Sequence, residues 1–245
     1  MTDLLTEGDL DLDAALRRFL AVGPVGDLDF NHARAHENEV SDAHTHKLQD
    51  VVDRVDAALA ETAPDFGLAD ARLHVLKWSD VLPTVFAEVA YRTDGEEPAQ
   101  GGVEVQVTLC EKVCHTAQAR IDRVPVLVST LDDVVADKLK VLLQQRRRHK
   151  VRHSDVYDLW FALVEAPFVP DPVTVRDALL TKLESWPDYL PLRAGVFREE
   201  GVRTFAEQGY RALRADEPDL PFAPFDRVWG AIQRFVGAMG LPEGE

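Results

Sequence analysis

The feature that most limits how this chain can fold is a change of hydrophobic period near residue 129. Before it, residues 73–78, 84–92 and 103–109 alternate apolar with polar side chains or are rich in β-branched ones, the pattern of half-buried strands. Asp94-Gly95 and Gly101-Gly102 punctuate these runs, and residues 124–128 supply a fourth. Beyond them apolar residues return every three or four positions, as a helix facing a core requires. Thr130 is placed to cap a helix whose core face is Leu131, Val134, Val135, Leu139 and Leu142, and Ser154 to cap the next, through Val156, Leu159 and Trp160. After the break at 167–172, helices are predicted near 173–183, 198–213 and 225–239. Upstream, the pattern predicts a helix over 12–20 stopped by Gly23-Pro24, a short strand over 25–30 and a long helix over 37–62. The fold class is therefore α+β: a mixed-sheet core over residues 1–128 flanked by helices, then a helical lobe over 129–245.

A chain of 245 residues, 46% hydrophobic and 29% charged, has enough apolar surface for one large domain or two closely packed lobes. No apolar run approaches the roughly 20 residues that span a bilayer, and the first 13 residues are acidic where a signal peptide is basic and then apolar. A soluble, cytoplasmic protein with no membrane partner is expected. Two cysteines, Cys110 and Cys114, do not make a disulfide framework. The formal net charge of -16 argues against broad electrostatic binding of nucleic acid, so any such contact must be local. One stretch is a candidate: residues 138–152 hold seven of the 27 basic residues, Lys138, Lys140, Arg146, Arg147, Arg148, Lys150 and Arg152. It reads either as a phosphate-facing cluster or as a solvated helix end, where the macrodipole favours cations.

Asp27-Leu28-Asp29-Phe30 ends the short strand over 25–30, and alternation puts both carboxylates on one face, about 7 Å apart. Such a pair can share a hard cation such as Mg²⁺ with phosphate oxygens, as phosphoryl and nucleotidyl transfer require. Solvated strand-end acids are the alternative, since Asp-Leu-Asp also occurs twice in the acidic leader. A third metal carboxylate would come from a neighbouring strand, where Glu104 is the candidate; an exposed sheet residue is its alternative.

Downstream, Asp133 to Leu143 carries Lys138 on a helix, followed by the arginines and then by Ser154-Asp155-Val156-Tyr157-Asp158-Leu159. With Asp27 to Phe30 upstream, this order resembles the AbiEii/AbiGii-like toxins of the nucleotidyltransferase superfamily, closely over about residues 12–165 and in general character beyond. The resemblance implies a nucleotidyltransferase-like fold. It implies that Asp27 and Asp29 bind Mg²⁺ and nucleotide phosphates, that Lys138 contacts the phosphates with Arg148 and Arg152 beside it, and that Asp155 belongs to the active site, with Asp158 as a structural support. The implied reaction moves a nucleotide from an NTP to an acceptor, RNA such as tRNA, in a protein with a cognate antitoxin.

The sequence departs from the family pattern in several places. Leu12-Asp13-Ala14 stand where a glycine pair should open the first helix and present backbone N–H groups to phosphate. The acidic residues 1–11 leave no room for the strand that precedes that turn. Ser154-Asp155 stands for the usual Arg-Asp, and Gln106 occupies a position open to a third acid. A start codon placed too far downstream and a diverged copy with altered or lost activity are the two explanations. The alternatives in function are thus a non-catalytic nucleotidyltransferase-like binding module, and an aminoglycoside-type nucleotidyltransferase whose cationic acceptor suits an acidic surface. Two zinc readings are weaker: His32 and His36 lie at helical spacing without a third ligand, and Cys110, Cys114 and His115 lack a second pair.

Overall fold

The computed structural model describes residues 2–5, 27–32, 42–66, 68–79, 84–93, 100–108, 112–121, 124–166, 169–184 and 190–243. At 2–5, 27–32, 42–47, 65–66, 100, 119–121 and 124–127 the description is of the backbone. Two compact units result, Met1–Ser129 and Thr130–Glu245.

The first unit is built on a seven-stranded mixed sheet of order β3-β4-β5-β2-β1-β7-β6. Its strands are β1 (Thr2–Leu5), β2 (Asp27–His32), β3 (Leu68–Trp78), β4 (Thr84–Thr93), β5 (Gln100–Thr108), β6 (Thr116–Ile121) and β7 (Val124–Ser129). β2 runs parallel to both β1 and β5, and the remaining pairs are antiparallel. Helix α1 (Asp42–Thr62) recurs with apolar residues at Leu48, Val52, Val55 and Leu59, all buried. That stripe joins Ala71, Leu73, Val85, Ala87, Val89, Val105 and Val107 of the strands in one core. Each such Val or Leu contributes about 1.5–3 kcal/mol by burial. The Asp56 carboxylate fixes the helix on the sheet by accepting the Leu73 N–H at 2.8 Å. The α1 C-terminus gives way to a 3-10 turn, Ala63–Phe66, at the point where Pro64 would interrupt helical hydrogen bonding.

Two strands differ from expectation. β6 was not anticipated, because the alternating positions of Thr116–Ile121 carry two alanines, Ala117 and Ala119, before Ile121, a weak apolar signal. More consequentially, the inference that residues 1–11 leave no room for a strand is corrected. Thr2–Leu5 forms β1, hydrogen-bonded to β2 on one side and β7 on the other. Pairing on both edges supplies what an acidic tetrapeptide's own propensity does not. The helix predicted over 12–20, and the start of the long helix at 37, lie outside the described residues.

The second unit is helical: α2 (Leu131–Arg148), α3 (Asp155–Trp160), α4 (Pro172–Leu183), α5 (Glu200–Asp216) and α6 (Phe225–Ala238). Thr130 caps α2, its hydroxyl accepting the Asp133 N–H at 3.3 Å. His149 closes that helix in the left-handed region at φ 47, donating to the carbonyls of Gln145 and Arg146. Asp171 caps α4, which has Pro172 at its first position. Ser154, expected to cap α3, takes right-handed helical angles instead, and its side chain makes no capping bond. α3 runs on into a π-helical turn, Phe161–Glu165, closed by the Ala166 N–H on the Phe161 carbonyl at 2.8 Å. Leu139, Leu142, Leu143, Val156, Leu159, Leu179, Leu183, Val202, Ala206, Val228 and Ile232 are buried in this unit, with Tyr210 donating to the Ala223 carbonyl at 2.8 Å. Among the described residues no helix is long and apolar enough to cross a membrane.

Candidate functional site

The candidate residues fall on both units. In the first, β5 buries Val103, Val105 and Val107 on the α1 side, leaving Glu104 exposed and Gln106 half-buried on the other face. The parallel register sets Asp27 beside Glu104 and Asp29 beside Gln106. On the far side of β5, Glu88 pairs with Glu104, and on the far side of β2, Thr2 pairs with Asp29. Asp27 and Asp29 therefore occupy register positions continuous with the face of β5 that carries Glu104 and Gln106, and Glu104 is the acid the backbone brings alongside them. Their side chains lie outside the described residues. An all-oxygen donor set of this kind suits a hard divalent cation and not a thiolate-seeking one. The zinc candidates His32, His36 and Cys110 also have side chains outside the described residues. Among the described residues no three His, Cys, Asp or Glu side chains gather closely enough to hold a metal.

In the second unit, α2 and α3 bring three of the charged residues together. Lys138 Nζ donates to Asp155 Oδ1 at 2.9 Å and contacts Asp158 Oδ2 at 2.8 Å. Asp155 and Asp158 reach the same ammonium because three residues of helix return a side chain to the same face. Lys138 is therefore not the solvated helix cation that its position in a basic stretch would suggest; its side chain is 26% exposed and that of Asp155 1%. Burial pulls the Lys138 pKa down, but the two carboxylates outweigh it and the net shift is upward, so the ammonium is held charged. Arg152 completes the group, with Nε 3.5 Å from Asp155 Oδ2. That oxygen is buried and has no hydrogen-bond partner among the described residues, so Arg152 is a charge beside it without being a bonded donor.

The rest of the basic stretch divides by direction. Lys140 is buried and its Nζ bonds Asp137 Oδ1 at 2.8 Å, so neither it nor Lys138 belongs to an outward cationic surface. The exposed cations are Arg146, Arg147, Arg148, Lys150 and Arg152, at the end of α2 and in the loop that follows. Arg146 also pairs with Glu199. On the opposite side of α2 lies a buried ionic network: Lys182 of α4 bonds Asp133 at 3.1 Å and Asp137 at 2.8 Å. Burial works against the charge of both Asp137 and Lys182; Lys140 and then Lys182 outweigh it at Asp137 and lower its pKa, while Asp137 and then Asp133 outweigh it at Lys182 and raise its pKa. This network ties α2 to α4.

Sequence reasoning assigned Asp158 a supporting part; the structure brings it as close to Lys138 as Asp155. The Asp-x-x-Asp spacing was the signal available. It missed Lys182 altogether, because nothing local marks a lysine 45 positions from Asp137 as its partner.

A family model described as nucleotidyl transferase AbiEii toxin, type IV TA system, matches residues 11–231. Among solved structures, one described as a candidate nucleotidyltransferase from H. pylori is 13% identical, with 91% of this chain and 83% of that chain covered at a TM-score of 0.42. No curated protein matches the chain.

Proposed function

Because this chain belongs to the AbiEii family of nucleotidyltransferase toxins from toxin–antitoxin systems, we propose that it transfers a nucleotide from an NTP to a hydroxyl on RNA, with tRNA as the acceptor class, and that a cognate antitoxin restrains it. The observation that carries the reading is Lys138, a largely buried ammonium held between Asp155 and Asp158. A lysine kept protonated and immobile by two carboxylates is a fixed positive charge, and such charges stabilise a phosphoryl group in transfer without reorganising.

Asp27 and Asp29 are the metal ligands in this reading, with Glu104 as the third carboxylate, and Mg²⁺ there would neutralise phosphate charge. Lys138 contacts the triphosphate through the proton that its two carboxylates leave available. Asp155 fixes that ammonium, and Asp158, which is 39% exposed, yields most readily to an incoming anion. Arg152 and Arg148 contact phosphates of the nucleotide or the acceptor, Arg152 as a planar fork suited to two phosphate oxygens. The exposed cations over 146–152 form the local patch that RNA binding by so acidic a protein requires.

The experiment is an acceptor screen. Purified protein is incubated with Mg²⁺ and each labelled NTP in the presence of total RNA, tRNA or an aminoglycoside. Label on tRNA supports the proposal; label on the aminoglycoside alone replaces RNA by a small cationic acceptor. A second reading, a diverged module that no longer catalyses transfer, is motivated by Leu12-Asp13-Ala14 in place of a glycine turn. It predicts no calorimetric signal for any NTP with Mg²⁺, and micromolar binding contradicts it.

A further inference from the structure

We infer that Gln145 and Gly209 are positioning residues that set Arg152 against Asp155, an inference that rests on reading Arg152 as a phosphate contact. Arg152 lies in the loop between α2 and α3, where nothing in regular secondary structure fixes its backbone. Two contacts from outside the loop do. On one side, Gln145 Oε1 accepts the Arg152 N–H at 3.3 Å. Gln145 is 1% exposed, its own carbonyl accepts the Lys150 N–H at 3.1 Å, and its Nε2 has no partner among the described residues, where the side chain's hydrogen bond is the one that holds the loop. Exchanging the amide's oxygen and nitrogen would set a donor against a donor, which fixes its orientation.

On the other side, the Arg152 carbonyl sits against Gly209 in the buried face of α5. A Cβ at that position would fall well inside contact distance of the Arg152 oxygen and 3.3 Å from Val151 Cγ1. Glycine is costly in a helix interior, and a close approach of foreign backbone is what it permits there. With its N–H held by one helix and its carbonyl seated on another, the Arg152 backbone has little freedom. Its side chain, 52% exposed, is then directed with Nε toward Asp155. The sequence marks neither residue: Gln145 reads as part of a helix tail, and Gly209 as a weak point in α5.

The test uses the full chain and inorganic triphosphate with Mg²⁺ as the probe. Gln145→Met keeps the side chain's volume and removes the acceptor; Gly209→Ala adds the obstructing methyl. Each should weaken triphosphate binding by about tenfold, the scale of one charge-assisted hydrogen bond, to the level of Arg152→Ala. In the Arg152→Ala background neither should weaken it further, since the three act through one group. Both should also speed amide exchange over residues 150–155 and leave α6 unchanged. Losses that persist in the Arg152→Ala background indicate general damage and overturn the inference, as does wild-type binding by either variant when Arg152→Ala binds poorly. Should Arg152→Ala bind as the wild type does, the phosphate reading of Arg152 fails instead. Exchange over 150–155 then decides the positioning: faster in both variants sustains it, unchanged overturns it. If Gly209→Ala does not fold, Gln145→Met carries each comparison alone.

Discussion

Replacing Lys138 by Met tests the account of its ion pairs through stability, independently of catalysis. The substitution leaves the stem's packing in place and removes the ammonium. Asp155, with a side chain 1% exposed, is left with Arg152 at 3.5 Å as its neighbouring charge and an oxygen without a hydrogen-bond donor. Breaking a buried pair from one side costs about 3–5 kcal/mol. Arg152 remains and Lys138 is itself partly open, so the lower end applies, about 3 kcal/mol. Asp158 adds little to this sum, because solvent screens a carboxylate that is 39% exposed. For a unit of this size such a loss lowers the melting temperature by about 10 °C. Equilibrium urea unfolding of Lys138→Met, Asp155→Asn and the double variant measures it. Removing the charge that Lys138 balances should recover most of the loss, giving a coupling of about 2 kcal/mol between the sites. A Lys138→Met protein within about 0.5 kcal/mol of wild type, or strictly additive losses, would refute the argument.

Lys182→Met should cost about 3 kcal/mol, the lower end of the same range, since it takes the ammonium from Asp133 and Asp137 while Lys140 stays bonded to Asp137; chemical unfolding checks this, and a loss under about 1 kcal/mol contradicts it. Thr130→Ala removes one long capping bond and should cost about 0.5–1 kcal/mol, visible as a melting shift of a few degrees. Acid should weaken the protein through Asp137. Its pKa is lower in the folded state than in the unfolded, so its contribution is full above the unfolded value of about 3.9 and is lost as pH falls through the folded one. Unfolding followed from pH 6 to pH 2 should show this loss in the wild type and a smaller one in Asp137→Asn; equal losses exclude Asp137 as the cause.

Much of the frame was legible because it depends on local pattern. The strands β3, β4, β5 and β7, the stripe of α1 and the Thr130 cap follow from periodicity and from short-range hydrogen bonding, which neighbouring residues encode. β1 was not legible: Thr2–Leu5 is a strand because β2 and β7 flank it, and neither partner is near it in sequence. Lys138 and Asp155 were singled out from motif order as separate residues, whereas their ion pair emerges only where α2 meets α3, and helical geometry then accounts for Asp158. The Lys182 network and the seat of Arg152 on Gly209 were not legible, since both depend on which helices meet. The basic stretch shows the same limit in reverse, where one run of charge in sequence becomes two inward lysines and an outward strip.

The most direct test of nucleotidyl transfer is label incorporation by wild type and site variants side by side. With Mg²⁺, tRNA and the labelled NTP that the screen selects, the wild type should label the RNA. Asp29→Ala and Lys138→Ala should each abolish the signal under conditions where both remain folded. Labelling at the wild-type rate by both variants would contradict the account.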